Sequence, residues 1–282
     1  MKRSVVVTGV STGIGWGAVK VLTGQGFHVF GSVRKQADAD RLKQEFGQAF
    51  TPLIFDVTDE AGARAAAAQV RAALNGETLA GLVNNAGIAV AGPLLHLPIE
   101  DFRQQIEVNV TGVVIATQAF GPLLGAEAGL KGPKGRIVNI SSVGGRNASP
   151  FMGPYNASKF ALEGLSESLR RELLIHGIDV IVIGPGAVAT PIWGKADEVD
   201  TSRYADTVFA PALDRIRGYM LGLGAKGLAP EVIGEAIHKA LTAAKPKHRY
   251  VVSPSPFEVF LTEVMPRRTM DRIVGKRLGL ID

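Results

Sequence analysis

A doubly wound α/β fold, one central parallel sheet with helices on both faces, is what this sequence of 282 residues predicts. Three observations carry the prediction. Short, near-continuous runs of Val and Ile recur along the chain, as strands buried on both faces require. Segments of helical period separate those runs, and parallel strands need such crossovers. The first run passes directly into a glycine-rich turn and a helix, VVVTGVSTGIGWG from Val5 to Gly17.

In chain order, a strand is expected at residues 4–8, a helix at 13–25 and a second strand at 28–33. A third strand (51–57) precedes an alanine-rich, strongly helical stretch at 60–74. A fourth strand at 79–84 leads to a long helix at 99–124, then a fifth strand at 135–141 and another long helix at 155–176. A sixth strand (178–183), a helix (230–243) and a late strand (249–253) complete the alternation. This is a Rossmann-type architecture, and no composition break divides residues 1–282 into more than one domain. The segment from about 189 to 226 breaks the rhythm, carrying Trp193, Tyr204, Phe209, Tyr219 and Met220 among charges. A long insertion beyond the carboxyl ends of the strands reads as a substrate lid. A C-terminal extension is expected over about 254–282.

Composition narrows the function classes. With 46% hydrophobic and 20% charged residues the chain is an ordinary globular one. It has no cysteine, which removes disulfides, thiolate catalysis and Cys-type zinc sites. The five histidines are scattered without metal-ligand spacing, so no metal is expected. The apolar run after Lys2 and Arg3 is too short for a signal peptide, no run approaches the length of a membrane span, and a cytoplasmic location is the expectation. The net charge of +5 comes without a dense basic run interleaved with aromatics, so nucleic acid is not expected as a partner. Basic residues gather toward the end (Lys245, Lys247, Arg249, Arg267, Arg268, Arg272, Lys276, Arg277). They read as a solvated surface, and peripheral contact with acidic lipid is not the expected use of them.

The opening stretch supports two incompatible readings. Gly9-Val10-Ser11-Thr12-Gly13 matches the G-x-S-x-G elbow that presents a nucleophilic serine in hydrolases. That elbow follows a strand in the middle of a sheet, however, and here Ser11 follows the first strand with no oxyanion loop before it. Thr8-Gly9-x-x-x-Gly13-x-Gly15 instead delivers a glycine turn into a helix N-terminus, where free N–H groups and the helix dipole favour a pyrophosphate. Gly9 allows the tight turn, and Gly13 and Gly15 let ligand and sheet come close. The phosphate reading fits where the elbow fails.

Further along, Tyr155 and Lys159 stand four residues apart and share a helix face. An ammonium beside a phenol favours the phenolate, so such a tyrosine can exchange a proton near neutral pH. The pair has company. Ile140-Ser141-Ser142 ends one strand with hydroxyls and Asn84-Asn85-Ala86-Gly87 ends another with amides. Asn109 is a polar residue within an apolar helix, and Pro185-Gly186 follows the sixth strand, with Thr190 just after it.

With these motifs in order, the chain resembles the short-chain dehydrogenase/reductase family from Ser4 to about Pro191. It is similar to the core subfamily with the T-G-x-x-x-G-x-G turn, N-N-A-G, a serine and Y-x-x-x-K. The resemblance implies that Tyr155 is the catalytic acid/base. It implies that Lys159 binds the nicotinamide ribose and lowers the tyrosine pKa. It makes Ser142, with Ser141 as the lesser choice, the residue that hydrogen-bonds the substrate oxygen. Asn109 would hold a water in the proton relay. It further implies a dinucleotide held by Gly9, Ser11, Thr12, Gly13, Ile14, Gly15, Asn85, Ala86, Gly87, Tyr155, Lys159, Pro185, Gly186, Val188 and Thr190, with Asp56 and Val57 at the adenine.

The end of the second strand indicates which dinucleotide. An NAD site normally has a carboxylate there for the ribose 2′-OH, whereas this chain has Val33 followed by Arg34. A guanidinium suits a 2′-phosphate, so NADP(H) is preferred over NAD(H), although Thr12 is not the basic residue many NADP-dependent relatives carry. Asp38 and Asp40 read as helix-start residues. The lid and tail resemble the 17β-hydroxysteroid and retinol dehydrogenase-like subset. Apolar lid residues Ile192, Trp193, Phe209 and Met220 suit a hydrophobic ketone or alcohol, a steroid, a retinoid or a xenobiotic. The expected activity is therefore that of a carbonyl reductase or secondary-alcohol dehydrogenase acting on a small molecule. The alternatives are a 3-oxoacyl-thioester reductase and a non-catalytic NADP(H)-binding regulator. A homodimer or homotetramer through the helices at 99–124 and 155–176 is a family-level expectation.

Overall fold

The computed structural model describes residues 3–191 and 201–282. Ile192 and Trp193, two of the residues read as lining the lid, lie outside the described residues. The seven strands are β1 (Ser4–Val7), β2 (His28–Val33), β3 (Phe50–Ile54), β4 (Gly81–Asn84), β5 (Arg136–Ile140), β6 (Asp179–Pro185) and β7 (Arg249–Val252). They form one sheet in the order β3-β2-β1-β4-β5-β6-β7, with every pairing parallel. The strand direction of winding reverses between β1 and β4, and in open α/β sheets ligands bind at that switch point, beyond the carboxyl ends.

Alternation along each strand divides two buried clusters. Val5 and Val7 of β1 face one side, where α1 (Gly13–Gly24) and α2 (Gln36–Phe46) pack together with α8 (Pro230–Thr242). Val6 faces the other, beneath α3 (Glu60–Leu74) and α5 (Gly112–Phe120). Both faces are therefore covered by helices, the doubly wound arrangement read from the apolar runs. Several strands begin or end within a few residues of the expected bounds. The third is shorter, because after Ile54 the chain turns out through Asp56 toward the N-cap of α3, where Asp59 accepts from the Gly62 N–H.

The expected helix at 99–124 is continuous but not uniform. It comprises α4 (Ile99–Ile106), a π-helical turn (Glu107–Thr111), α5 and a short 3₁₀ turn (Gly121–Leu124). By length and composition alone Ile99–Leu124 could span a membrane, contrary to the expectation that no segment could. Here it is packed, with Ala116, Phe120, Leu123 and Leu124 in the core cluster under α3. The catalytic-motif helix, α6 (Gly153–Glu172), begins two residues before Tyr155 and closes in a 3₁₀ turn. Within the segment read from the sequence as a lid, the described residues form a 3₁₀ turn (Thr201–Tyr204) and α7 (Ala210–Ala225). The tail forms two helices, α9 (Pro256–Val264) and α10 (Arg267–Leu278), which the sequence pattern did not disclose.

Candidate active site

The glycine turn closes over the switch point. Gly9 and Gly13 have φ of +68° and +61°, a left-handed conformation that favours glycine. A Cβ at Gly9 would lie 2.8 Å from the Cα of Ala86, and one at Gly15 would overlap the Gly9 carbonyl oxygen. The turn is fixed from both neighbouring strands. Ser32 Oγ accepts from the Gly9 N–H (2.9 Å), and Asn85 Nδ2 donates to the carbonyls of Thr8 (2.9 Å) and Gly9 (3.0 Å). Thr8 Oγ1 in turn accepts from the N–H groups of Asn85 and Ala86 (3.0 Å each). Thr12 stands at the N-cap of α1 in extended conformation without a side-chain cap bond, so Ile14 and its neighbours in the first turn present their N–H groups outward.

Most of the other expected cofactor residues gather around this turn. Thr190 reaches it from the β6 end, since a Cβ on Gly13 would meet its side chain at 3.2 Å. Pro185 ends β6, Gly186 donates to the Val252 carbonyl (2.8 Å) and Val188 bridges to Leu228. Arg34 follows β2 directly and lies 3.7 Å from Asp56, which also accepts from Thr58 N–H and Oγ1. Burial works to raise the Asp56 pKa, but the Thr58 hydrogen bonds and the Arg34 charge outweigh it and hold the carboxyl low. Val57 is buried against Gly112. A residue the motifs gave no reason to single out, Arg41 of α2, donates to the Ser11 carbonyl at 2.6 Å while pairing with Asp38 and Glu45. Arg41 thus brings a cation to the glycine turn, where Thr12 supplies none.

At the carboxyl end of β5 the two serines diverge. Ser142 Oγ accepts from the Gly144 N–H (3.0 Å) and hydrogen-bonds the Tyr155 phenol. Ser141 Oγ is buried toward Gly145 with no hydrogen-bond partner. Geometry therefore brings Ser142, and not Ser141, to the tyrosine. Lys159 Nζ, one helical turn on, donates to the Ile140 carbonyl (2.8 Å) and sits 5.8 Å from the centre of the Tyr155 ring.

Burial governs the electrostatics of the pair. Burial raises the Tyr155 pKa above its ordinary value, with the Ser142 hydrogen bond working against it. Lys159 is itself the perturbed cation: burial brings its pKa down to about 8, opposed by the Glu163 carboxylate.

Asn109 occupies the π turn of the long helix, a local widening that recurs at functional sites. Its Oδ1 accepts from the Ile88 N–H (2.9 Å) and its Nδ2 donates to the Ile88 carbonyl (3.0 Å) and Ser158 Oγ (3.1 Å). Gln105, one turn earlier, makes the same pair of contacts to Ile88 O and Ser158, and Ser158 Oγ donates to the Tyr155 carbonyl (2.7 Å). A buried chain thus joins the loop after Gly87 to the backbone of the tyrosine. Gln105 and Ser158 escaped the sequence reading. Their only signals were a polar residue one turn from Asn109 and a serine beside Lys159.

A second network lies behind Lys159. Glu163 is gripped by Arg249 of β7, whose Nε lies 3.1 and 3.2 Å from the two carboxylate oxygens, and Arg146 approaches at 3.6 Å. Arg249 Nη2 also reaches the Ser142 carbonyl at 3.4 Å.

A glycine turn at the switch point and a Ser–Tyr–Lys group at the end of β5 together define a dinucleotide-dependent oxidoreductase of the doubly wound class. The profile of the short chain dehydrogenase family matches residues 3–200. The chain belongs to the short-chain dehydrogenase/reductase family, whose members act on CH–OH and carbonyl groups. It is 39% identical, over 98% of its length and 97% of the relative's, to the NADPH-dependent 3-dehydrocapnine reductase of Ornithobacterium rhinotracheale. It is 32% identical to human dehydrogenase/reductase SDR family member 9, over 88% of this chain and 79% of that protein. Among solved structures, a short-chain dehydrogenase from Streptomyces avermitilis superposes with a TM-score of 0.78 at 26% identity, covering 100% and 99% of the two chains.

Proposed function

We propose that this chain uses NADP(H) to interconvert a carbonyl and a secondary alcohol on a medium-to-large hydrophobic molecule. The observation that carries the reading is the meeting of Ser142, Tyr155 and Lys159 at the end of β5, beside the turn in which Gly9 and Ala86 leave no room for a side chain. The cradle fits a dinucleotide. Gly9, Ser11, Thr12, Gly13, Ile14 and Gly15 would hold the pyrophosphate, Arg34 the 2′-phosphate, and Asp56 and Val57 the adenine. Asn85 to Gly87, Pro185, Gly186, Val188 and Thr190 would line the nicotinamide half. When bound, the nicotinamide supplies or accepts the hydride.

The chain's own residues handle the proton and the orientation. Ser142 and Tyr155 hydrogen-bond the substrate oxygen, and Tyr155 gives up or takes its proton as the charge on that oxygen changes. Lys159 stabilises the phenolate once it forms. Asn109 serves the relay through its backbone carbonyl, since both ends of its side-chain amide are engaged with Ile88 and Ser158.

A hydrophobic substrate is supported by the aromatic wall beside α6. Phe209 meets Phe151 and His96 edge-on, with ring centres 5.9 Å apart in each case. Leu94 crowds Gly153. Phe151 has a φ of +62°, strained for a bulky residue, and the Gly92 N–H holds its carbonyl at 2.7 Å. The 3-dehydrocapnine reductase relative, NADPH-dependent by name, points the same way on the cofactor.

Parallel fluorescence titrations with NADPH and NADH, followed by NADPH oxidation over a panel of hydrophobic ketones, test the reading. Tighter NADPH binding with turnover of at least one ketone is expected. Binding of neither cofactor would contradict it.

A further inference from the structure

Helix α9 is amphipathic in the wrong sense for a core helix. Phe257, Phe260, Leu261 and Val264 stand at i, i+3, i+4 and i+7, one stripe of the helix. Instead of facing the core they are 74%, 59%, 42% and 58% exposed, and α9 has no buried residue. The inward side is fixed differently: Val259, Thr262 and Glu263 are partly covered, and Glu263 Oε1 points at Arg249 Nη1 from 4.0 Å. The side that carries Glu263 is thus turned toward the protein and the apolar stripe toward the surroundings. Contiguous exposed apolar surface of this kind marks an interaction site.

What adjoins the stripe identifies its partner. Only Met265 and Pro266 separate α9 from α10, which carries Arg267, Arg268, Arg272, Lys276 and Arg277 against a single acidic residue, Asp271. All five cations are exposed, with Ile273 among them. Arg277 stacks on Tyr219 of α7, at 4.4 Å from the ring centre, and Arg215 of α7 donates to the Leu278 carbonyl (2.7 Å), so α10 is anchored to the lid helix. A twofold contact with a second copy would bring two such cationic helices to one axis, where like charges repel. An anionic bilayer surface instead offers hydrocarbon to the phenylalanines and phosphate to the arginines.

We propose that the α9–α10 unit docks this enzyme on anionic lipid membranes, with the α9 stripe in the acyl boundary and the α10 cations on the headgroups. From the sequence the same cations read as a solvated surface, because the stripe beside them emerges only when α9 is seen to expose it. Docking here sets the lid helix α7 beside the bilayer through the Arg215 and Arg277 contacts.

Co-sedimentation of the purified full-length protein with phosphatidylcholine vesicles, with and without phosphatidylglycerol, tests the proposal. The bound fraction should be at least about tenfold higher on the anionic vesicles and fall with added salt. Phe257→Ser/Phe260→Ser should lower it by about tenfold or more, with the melting temperature unchanged because both side chains are exposed. Arg268→Gln/Arg272→Gln should remove most of the preference for anionic vesicles while leaving the stripe intact. Absence of vesicle binding by the unmodified protein overturns the proposal, and so does binding that neither variant reduces. Light scattering on the same samples separates the rival occupant: if vesicle binding is absent and Phe257→Ser/Phe260→Ser turns a dimer into a monomer, the stripe belongs to a second copy of the chain.

Discussion

Arg249, on the edge strand of the sheet, grips both carboxylate oxygens of Glu163 on the helix that carries Tyr155 and Lys159. Both side chains are nearly buried, at 5% and 14% exposure. The same guanidinium lies across Gly184, where a Cβ would meet it at 2.7 Å, and touches the Ser142 carbonyl. One ion pair therefore ties β6, β7, the Ser142 backbone and α6 together. Arg249→Met strands a buried carboxylate and should cost on the order of 3 kcal/mol of stability. It should also lower kcat about tenfold while KM for NADPH stays nearly constant, as expected if the loss falls on positioning at Ser142. Thermal melts and steady-state kinetics on one preparation check both effects.

Lys159 carries a cost in stability for its place in the site. Folding brings its pKa from 10.5 down to about 8. Between those values the unfolded chain holds the proton more tightly than the folded one, so stability rises with pH across that window, and below about 8 the full penalty stands. Lys159→Met should therefore stabilise the protein at neutral pH by roughly 2 kcal/mol, after allowing for the lost bond to the Ile140 carbonyl. The gain should shrink as pH climbs toward 10.5, while turnover is abolished. Melting curves at several pH values check the sign.

Ser142 and Ser141 differ in what they face, and their substitutions should separate. Ser142→Ala should reduce kcat by about a hundredfold, the scale of one oxyanion donor. Ser141→Ala should leave kcat within about twofold and stabilise slightly, because it removes a buried hydroxyl without a hydrogen-bond partner. Equal losses in the two variants would remove the assignment of Ser142.

Arg34 and Arg41 should act differently on the cofactors. Arg34→Ala should weaken NADPH binding about tenfold and leave NADH nearly unchanged, as loss of one charge-assisted contact to phosphate predicts. Arg41 tethers the Ser11 carbonyl, so Arg41→Ala should loosen the turn and weaken both cofactors alike. Paired titrations distinguish the two.

The strands of the parallel sheet and the glycine cradle were legible because they rest on local chemistry. Buried parallel strands need apolar runs, and a turn at φ near +65° needs glycine. The Tyr155–Lys159 face likewise follows from helical spacing. What stayed hidden depends on partners distant in sequence. Arg249 finds Glu163 across 86 residues and Arg41 reaches Ser11 across 30, and no local pattern announces either. The α9 stripe has helical period, yet period alone does not say whether a stripe faces the core or the surroundings.

The central claim is that Tyr155 moves the proton of a carbonyl–alcohol interconversion. Single-turnover oxidation of bound NADPH by a hydrophobic ketone, compared between the unmodified enzyme and Tyr155→Phe, tests it most directly when NADPH affinity is measured in the same samples. The account predicts a rate lower by about a thousandfold or more, with NADPH affinity within about threefold because the phenol oxygen is all that changes. A Tyr155→Phe enzyme that keeps most of its rate while binding NADPH normally would contradict it.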